Sequence, residues 1–397
     1  MLAWVEYPFL TEHLELLPPD IIDGVLGNDA AEIKAELKHG MQHLAYTSIQ
    51  GSELLFPGYL SAERGEGMTQ GHLRSAFEEI SVRARAAKPL GVYGAAWDDS
   101  GLHSETFWLG WATVAQYGWA PGLAPVEQTA AEFMRIYYGP EAEGMMDIYE
   151  KLQRQARFFE SSWDRVVSTV RGPGYGNSYG KGIGTTRHDE TLPPPPLPSV
   201  PGLNFVPVYS GKYAKLGEEA RQMSMENEGL RLLLYQNLGK VSRNRYNLEV
   251  LLSLAELTAH HNRFILTLKE IESRLARAKQ AADRGNAKQA VGELVSAYDL
   301  ADHISKERES MFRNVESVWE KSRFPKGQEV GGRRFIHVLD DVKDHWADRR
   351  SDLSYMIAPE ESVNLQKWQD DLKSVIHAYA ERNHLPIRPL EEMRLED

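Results

Sequence analysis

Hydrophobic and polar positions follow two different periods along the chain. Up to about residue 120, short apolar runs alternate with helix-spaced patterns. Leu2–Val5, Ile21–Leu26, His43–Ile49 and Gly91–Trp97 read as strands, each a brief apolar run beside turn chemistry. Asn28-Asp29 offers an N-cap for a helix over Ala30–His39, which Gly40 closes. Leu73, Phe77 and Ile80 repeat at helical spacing within Gln70–Ala87, Lys88-Pro89 stops that helix, and another runs from about Ser104 to Tyr117. Strand alternating with helix is the pattern of parallel β/α units. About four strands are visible, roughly half of an eight-stranded barrel. The first starts at Met1 with no lead-in, and a half barrel would expose two strand edges and its apolar interior. The expectation is therefore the C-terminal half of a (β/α)8 barrel over residues 1–171, belonging to a longer protein. An open four-stranded α/β sheet is the alternative.

The pattern then changes. "GPGYGNSYGKGIG" is followed by "LPPPPLPSVPG", so residues 172–211 read as a Gly/Pro-rich linker or surface loop. A phosphate loop fails there, because Gly182 rather than Ser or Thr follows Lys181. Residues 212–397 read as an all-α bundle. Leu248, Leu251, Leu252, Ala255 and Ala259 line one helix face, and Val291, Leu294, Val295, Tyr298 and Ala301 line another. Arg284-Gly285-Asn286 marks the turn of an αα-hairpin, and Glu270 with Arg274 is a favourable i, i+4 pair on its solvent side.

Composition narrows the function classes. Net charge is −12 over 397 residues, which gives no global pull toward nucleic acid or an anionic membrane. No apolar run is long enough to span a bilayer, and no signal pattern stands at Met1. The absence of cysteine excludes disulfides, thiolate metal sites and a cysteine nucleophile, and leaves the compartment open.

The sharpest chemical signal is "GVYGAAWDDSGLHSETFWLGW", Gly91 to Trp111, where an apolar run ends in Trp97-Asp98-Asp99. In a β/α fold such a position faces the shared site mouth. Successive strand residues point to opposite faces, so Trp97 and Asp99 share one side and Asp98 turns to the other. A tryptophan face beside a carboxylate suits a sugar ring: indole covers C–H groups while the carboxylate accepts from hydroxyls. The plainer reading is that Asp98 or Asp99 caps the following helix. Asp98 and Asp99 as a catalytic acid pair is a third option, against which the pleat argues. Trp4-Val5-Glu6 repeats the same spacing at the first strand.

Two other clusters carry less. His337, Asp341, Asp344, His345 and Asp348 stand at helical steps, but the interleaved Lys343, Arg349 and Arg350 favour a salt-bridged face over a metal site. His260-His261 reads as helix surface and core edge. No G-x-S-x-G, H-E-x-x-H or Rossmann glycine fingerprint is present, so no metal or cofactor is expected.

"LAWVEYPFLTEHLELLPPDIIDGVL" and "LGVYGAAWDDSGLHSETFWLGWATVAQYGWAP" resemble strands five and eight of the catalytic barrel of glycoside hydrolase family 20, the β-N-acetylhexosaminidases, each with a Trp-x-acid motif. The resemblance covers roughly Met1 to Gly139. It implies substrate-assisted hydrolysis of a terminal N-acetylhexosamine, in which the substrate's acetamido oxygen attacks the anomeric carbon. It also implies that Trp97 and Trp4 line the acetamide pocket, that Asp99 holds the sugar hydroxyls where the family has Glu, and that Glu6 matches the acidic position of strand five. The family's Asp-Glu pair ends strand four, and no matching pair precedes Trp4, so the chain alone is expected to be inactive. The family's acetamide-binding tyrosine has two candidates, Tyr46 and Tyr59, and the usual strand-six tryptophan is replaced by "DGVLGND". The expected partner is carbohydrate, with homo-oligomers through the helical region; the competing reading is a non-catalytic carbohydrate-binding or scaffold protein.

Overall fold

The computed structural model describes residues 1–3, 12–26, 30–47, 55–60, 73–74, 81, 85, 88–94, 104–120, 124–162, 164–167, 188–322, 328–334, 365–387 and 389–390. The chain forms two compact units, Met1–Arg157 with Leu232–Leu252, and Phe158–Arg231 with Ser253–Asp397. An α/β part is followed by a mainly helical part. Among the described residues, no helix is long and apolar enough to cross a membrane.

The first unit is organised by a parallel sheet of β1 (Leu2–Ala3), β2 (Ile22–Leu26), β3 (Gln42–Thr47) and β4 (Val92–Gly94), paired in that order. Helix α1 (Ala30–His39) has the bounds that its Asn-Asp entry and Gly40 predict, and Gly40 takes φ +87°, a conformation open to glycine at little cost. Strand alternation assigns the faces. His43, Ala45 and Thr47 are buried, whereas Gln42 is exposed and Leu44 and Tyr46 are half-buried. Glu36 of α1 reaches His43, with Oε2 3.6 Å from Nδ1. A four-residue 3-10 turn (Ser104–Phe107) leads into α2 (Trp108–Trp119). Gly118 of α2 lies so close to Val92, the register partner of Ala45, that an added Cβ would sit 3.3 Å from a methyl carbon. Both helices therefore cover the same face of the sheet, and α1 is the crossover between the parallel strands β2 and β3.

Two helices that the apolar pattern leaves unassigned follow, α3 (Val126–Tyr138) and α4 (Met145–Ser161). Their inward faces carry Tyr138, Tyr149 and Leu152, which are almost fully buried.

In the second unit, β5 (Asp164–Val167) and β6 (His188–Thr191) form an antiparallel pair. Helices α5 (Ala214–Leu238), α6 (Arg245–Asp283), α7 (Ala287–Glu320) and α8 (Leu365–Arg382) follow, α5 and α6 contributing to both units by the division above. α7 and α8 pack together. The predicted turn joins α6 to α7, with Gly285 at φ +72° and the Asn286 side chain accepting from Gln289 N. Asn286→Ala removes that cap and is expected to cost about 1 kcal/mol, read as a lower urea midpoint with an unchanged slope. The Glu270–Arg274 pair forms (3.1 Å) and extends inward: Arg274 and Arg277 both reach the buried Glu293 carboxylate, at 3.3 and 3.2 Å.

The proline-rich stretch is packed. Leu192, Leu203 and Tyr209 are fully buried within this unit. Proline's fixed φ lowers the entropy lost when such a segment docks.

Candidate functional site

The sheet face away from α1 and α2 carries the first group of candidate residues. Its side chains come from Leu2, Ile22 and Gln42, which share one register, and from Leu44, Tyr46 and Tyr93. Tyr46 and Tyr93 are register partners with ring centroids 6.0 Å apart and planes tilted by 40°. Tyr93 is 37% exposed and Leu2 58%. Leu2 and Tyr93 stand on the two outer strands, with the half-buried Ile22, Leu44 and Tyr46 between them.

All four strands run in parallel, so their C-terminal ends lie along one edge. Tyr46 sits one residue before the end of β3. Trp4-Val5-Glu6 follows the end of β1 in sequence, and Ala95-Ala96-Trp97-Asp98-Asp99 follows the end of β4. Trp4, Glu6, Trp97, Asp98 and Asp99 lie outside the described residues, as do His337, Asp341, Asp344, His345 and Asp348.

Tyr59 has different surroundings. It is 1% exposed, and its hydroxyl donates to the Thr106 carbonyl at 2.9 Å. Its ring stacks on Tyr149 (6.4 Å) and meets the edge of Phe56 (6.1 Å), while the Tyr138 and Tyr149 hydroxyls share a hydrogen bond of 2.9 Å. Burial, reinforced by Tyr149, pushes the Tyr59 phenol well above its ordinary range, so it acts only as a neutral hydrogen-bonding group. A cavity of about 130 Å³ opens beside it, lined by Leu60, Arg74, Glu127, Met146 and Glu150, with Arg74 and Glu127 ion-paired. That is smaller than the roughly 300 Å³ at which ligand pockets begin.

Sequence reasoning did not single out the buried polar groups beneath the sheet. Asp23 and Glu36 are fully enclosed and His43 is 2% exposed, all on the helix-covered side. Asp23 and His43 are register partners, and only the pairing of β2 with β3 brings them side by side.

His260 and His261 are both buried. His260 Nδ1 donates to Glu307 at 3.2 Å, since a carboxylate only accepts, and Arg263 Nε holds the same oxygen at 2.7 Å. His261 Nε2 lies 2.6 Å from Ser162 Oγ and its ring meets the edge of Phe159 at 4.6 Å. Among the described residues, no three potential ligands converge as a metal site would require.

These features define an α/β protein with a four-stranded parallel sheet, followed by a mainly helical part. The chain matches no family model, no curated protein and no solved structure.

Proposed function

We propose that this chain carries half of a (β/α)8 barrel and contributes the sugar-binding wall of a glycoside hydrolase resembling the β-N-acetylhexosaminidases. The observation that carries the reading is the sheet: four parallel strands in sequential order among the described residues, with α1 and α2 packed on one face. A doubly wound sheet reverses its strand order and takes helices on both faces; an arc of a barrel does neither. The open face corresponds to a barrel interior, and its strand ends are where a barrel places its site. Tyr46 and Tyr93 already line that face.

On this reading Trp97 and Trp4 close around the acetamide methyl of a terminal N-acetylhexosamine. Asp99 accepts from ring hydroxyls, and Glu6 adds a second carboxylate. The acetamido oxygen serves as nucleophile, so the enclosing walls hold it against the anomeric carbon and exclude water from that approach. No residue of this chain is assigned the acid–base role.

The test is calorimetric titration of the protein with N-acetylglucosamine and, in parallel, glucose. Saturable binding of the acetamido sugar is expected, with glucose at least about tenfold weaker and Trp97→Ala weakening the former by about tenfold or more. Equal affinity for the two sugars, or a Trp97→Ala variant that binds as the wild type does, sinks the assignment.

A further inference from the structure

The stretch Leu192-Pro193-Pro194-Pro195-Pro196-Leu197-Pro198 is buried with a period of three. Leu192, Pro195 and Pro198 are buried, Pro196 is exposed, and the others are half-buried. Neither a strand, with period two, nor an α-helix, with period 3.6, gives that pattern. A polyproline II helix does, because it turns once every three residues and docks on one face.

The docking contacts have the chemistry of peptide recognition. Trp368 of α8 is 6% exposed, and its indole Nε1–H donates to the Pro195 carbonyl at 2.7 Å. The Tyr209 hydroxyl donates to the Pro193 carbonyl at 2.9 Å. Tyr209 packs on Tyr213 with ring centroids 5.0 Å apart. Proline-rich segments are generally bound in this manner: aromatic plates take the ring edges, and ring N–H or O–H donors take carbonyls that lack any internal partner. Both donors here contact main-chain oxygens, so they read backbone conformation and would accept another chain of the same conformation.

The groove is itself built. The Glu272 carboxylate of α6 accepts from the backbone N–H groups of Val208, Tyr209 (2.8 Å) and Ser210 (2.7 Å), fixing the turn from which Tyr209 projects. Glu272 is thus a positioning residue for the groove.

We propose that the Trp368–Tyr209 groove is a polyproline recognition site, occupied in cis by Leu192–Pro198 and open to a proline-rich segment of a partner protein when that strap is displaced. The cis segment competes at the high effective concentration of any tethered ligand, which keeps the site closed to weak competitors.

A fluorescent peptide of residues 190–199, and a control with its prolines replaced by alanine, test this by polarisation. The double variant Pro195→Ser with Pro198→Ser loosens the strap and is expected to bind the proline peptide at least about tenfold more tightly than the wild type does. It should ignore the alanine control, and adding Trp368→Phe, which keeps a ring but removes the N–H, should abolish binding. A double variant with wild-type circular dichroism that fails to bind, or that binds both peptides equally, overturns the proposal. Should that variant not fold, the wild-type chain is titrated with the peptide while its indole N–H resonances are followed, Trp368 being identified by its loss in Trp368→Phe. A saturable shift of that resonance supports the site, and its constancy at millimolar peptide, or a dimer that forms without peptide binding, counts against it.

Discussion

Lowering the pH from 7 toward 3 is expected to remove several kcal/mol of stability through His261. Burial, with His260 beside it, pushes the His261 imidazole down from 6.5 to about 3. The folded state therefore binds fewer protons than the unfolded state between those values, and the stability that neutral His261 contributes is complete above pH 6.5. It is lost as pH falls through that window, by about 2 kcal/mol at pH 5 and up to about 5 kcal/mol below pH 3. His260 shifts in the same direction, chiefly through burial and against its hydrogen bond to Glu307, with Arg263 and Arg308 adding to the downward shift. The hydrogen bond from His260 and then the Arg263 guanidinium hold Glu307 down at about 2, against 4.5 ordinarily. Its contribution is present above pH 4.5 and is lost in a second, lower window. Urea titrations at half-unit pH intervals should show the loss begin near pH 6.5. His261→Gln should flatten the slope between pH 6.5 and 4.5 even if it lowers stability at pH 7. Equal slopes for the two proteins there would falsify the assignment to His261.

Glu272→Gln is expected to cost about 2–4 kcal/mol, large for a substitution that changes one oxygen to an NH2 group. The carboxylate is 3% exposed and accepts from three consecutive backbone N–H groups. An amide leaves one acceptor in place of two and turns a donor toward a donor. Losing the charge also removes the stronger, charge-assisted character of all three bonds. The Tyr209 hydroxyl bond to Pro193 should loosen with the turn, so the variant's proline strap should exchange amide protons faster than the wild type's. A variant within about 0.5 kcal/mol of the wild type would mean that solvent satisfies those N–H groups as well as Glu272 does.

What the sequence reveals depends on how local the cause is. Ala30–His39, the strand over Ile22–Leu26 and the Arg284–Asn286 turn are legible because caps, glycines and apolar runs act within one turn of themselves. The Ser104 start is legible, but its first turn is 3-10. Tyr46 and Tyr93 come from strands more than forty residues apart, and only their register makes them neighbours. Ser162 and His261 are 99 positions apart, and Pro195 and Trp368 are 173 apart, so no local pattern announces either contact. Composition marks the proline stretch as a linker or surface loop, whereas Leu192, Leu203 and Tyr209 are buried. It carries no trace of the aromatic donors that receive it.

The sequential order of the parallel sheet also bears on how the chain assembles during synthesis. Leu2 pairs with Ile22 and Ile22 with Gln42, so each step closes a connection of about twenty residues. The step from Ala45 to Val92 is longer. In the described sheet, β2, β3 and β4 each pair with a strand that precedes them in the chain. At ordinary elongation rates of about 5–20 residues per second, each twenty-residue step takes about one to four seconds, ample for α1 to form before β3 pairs.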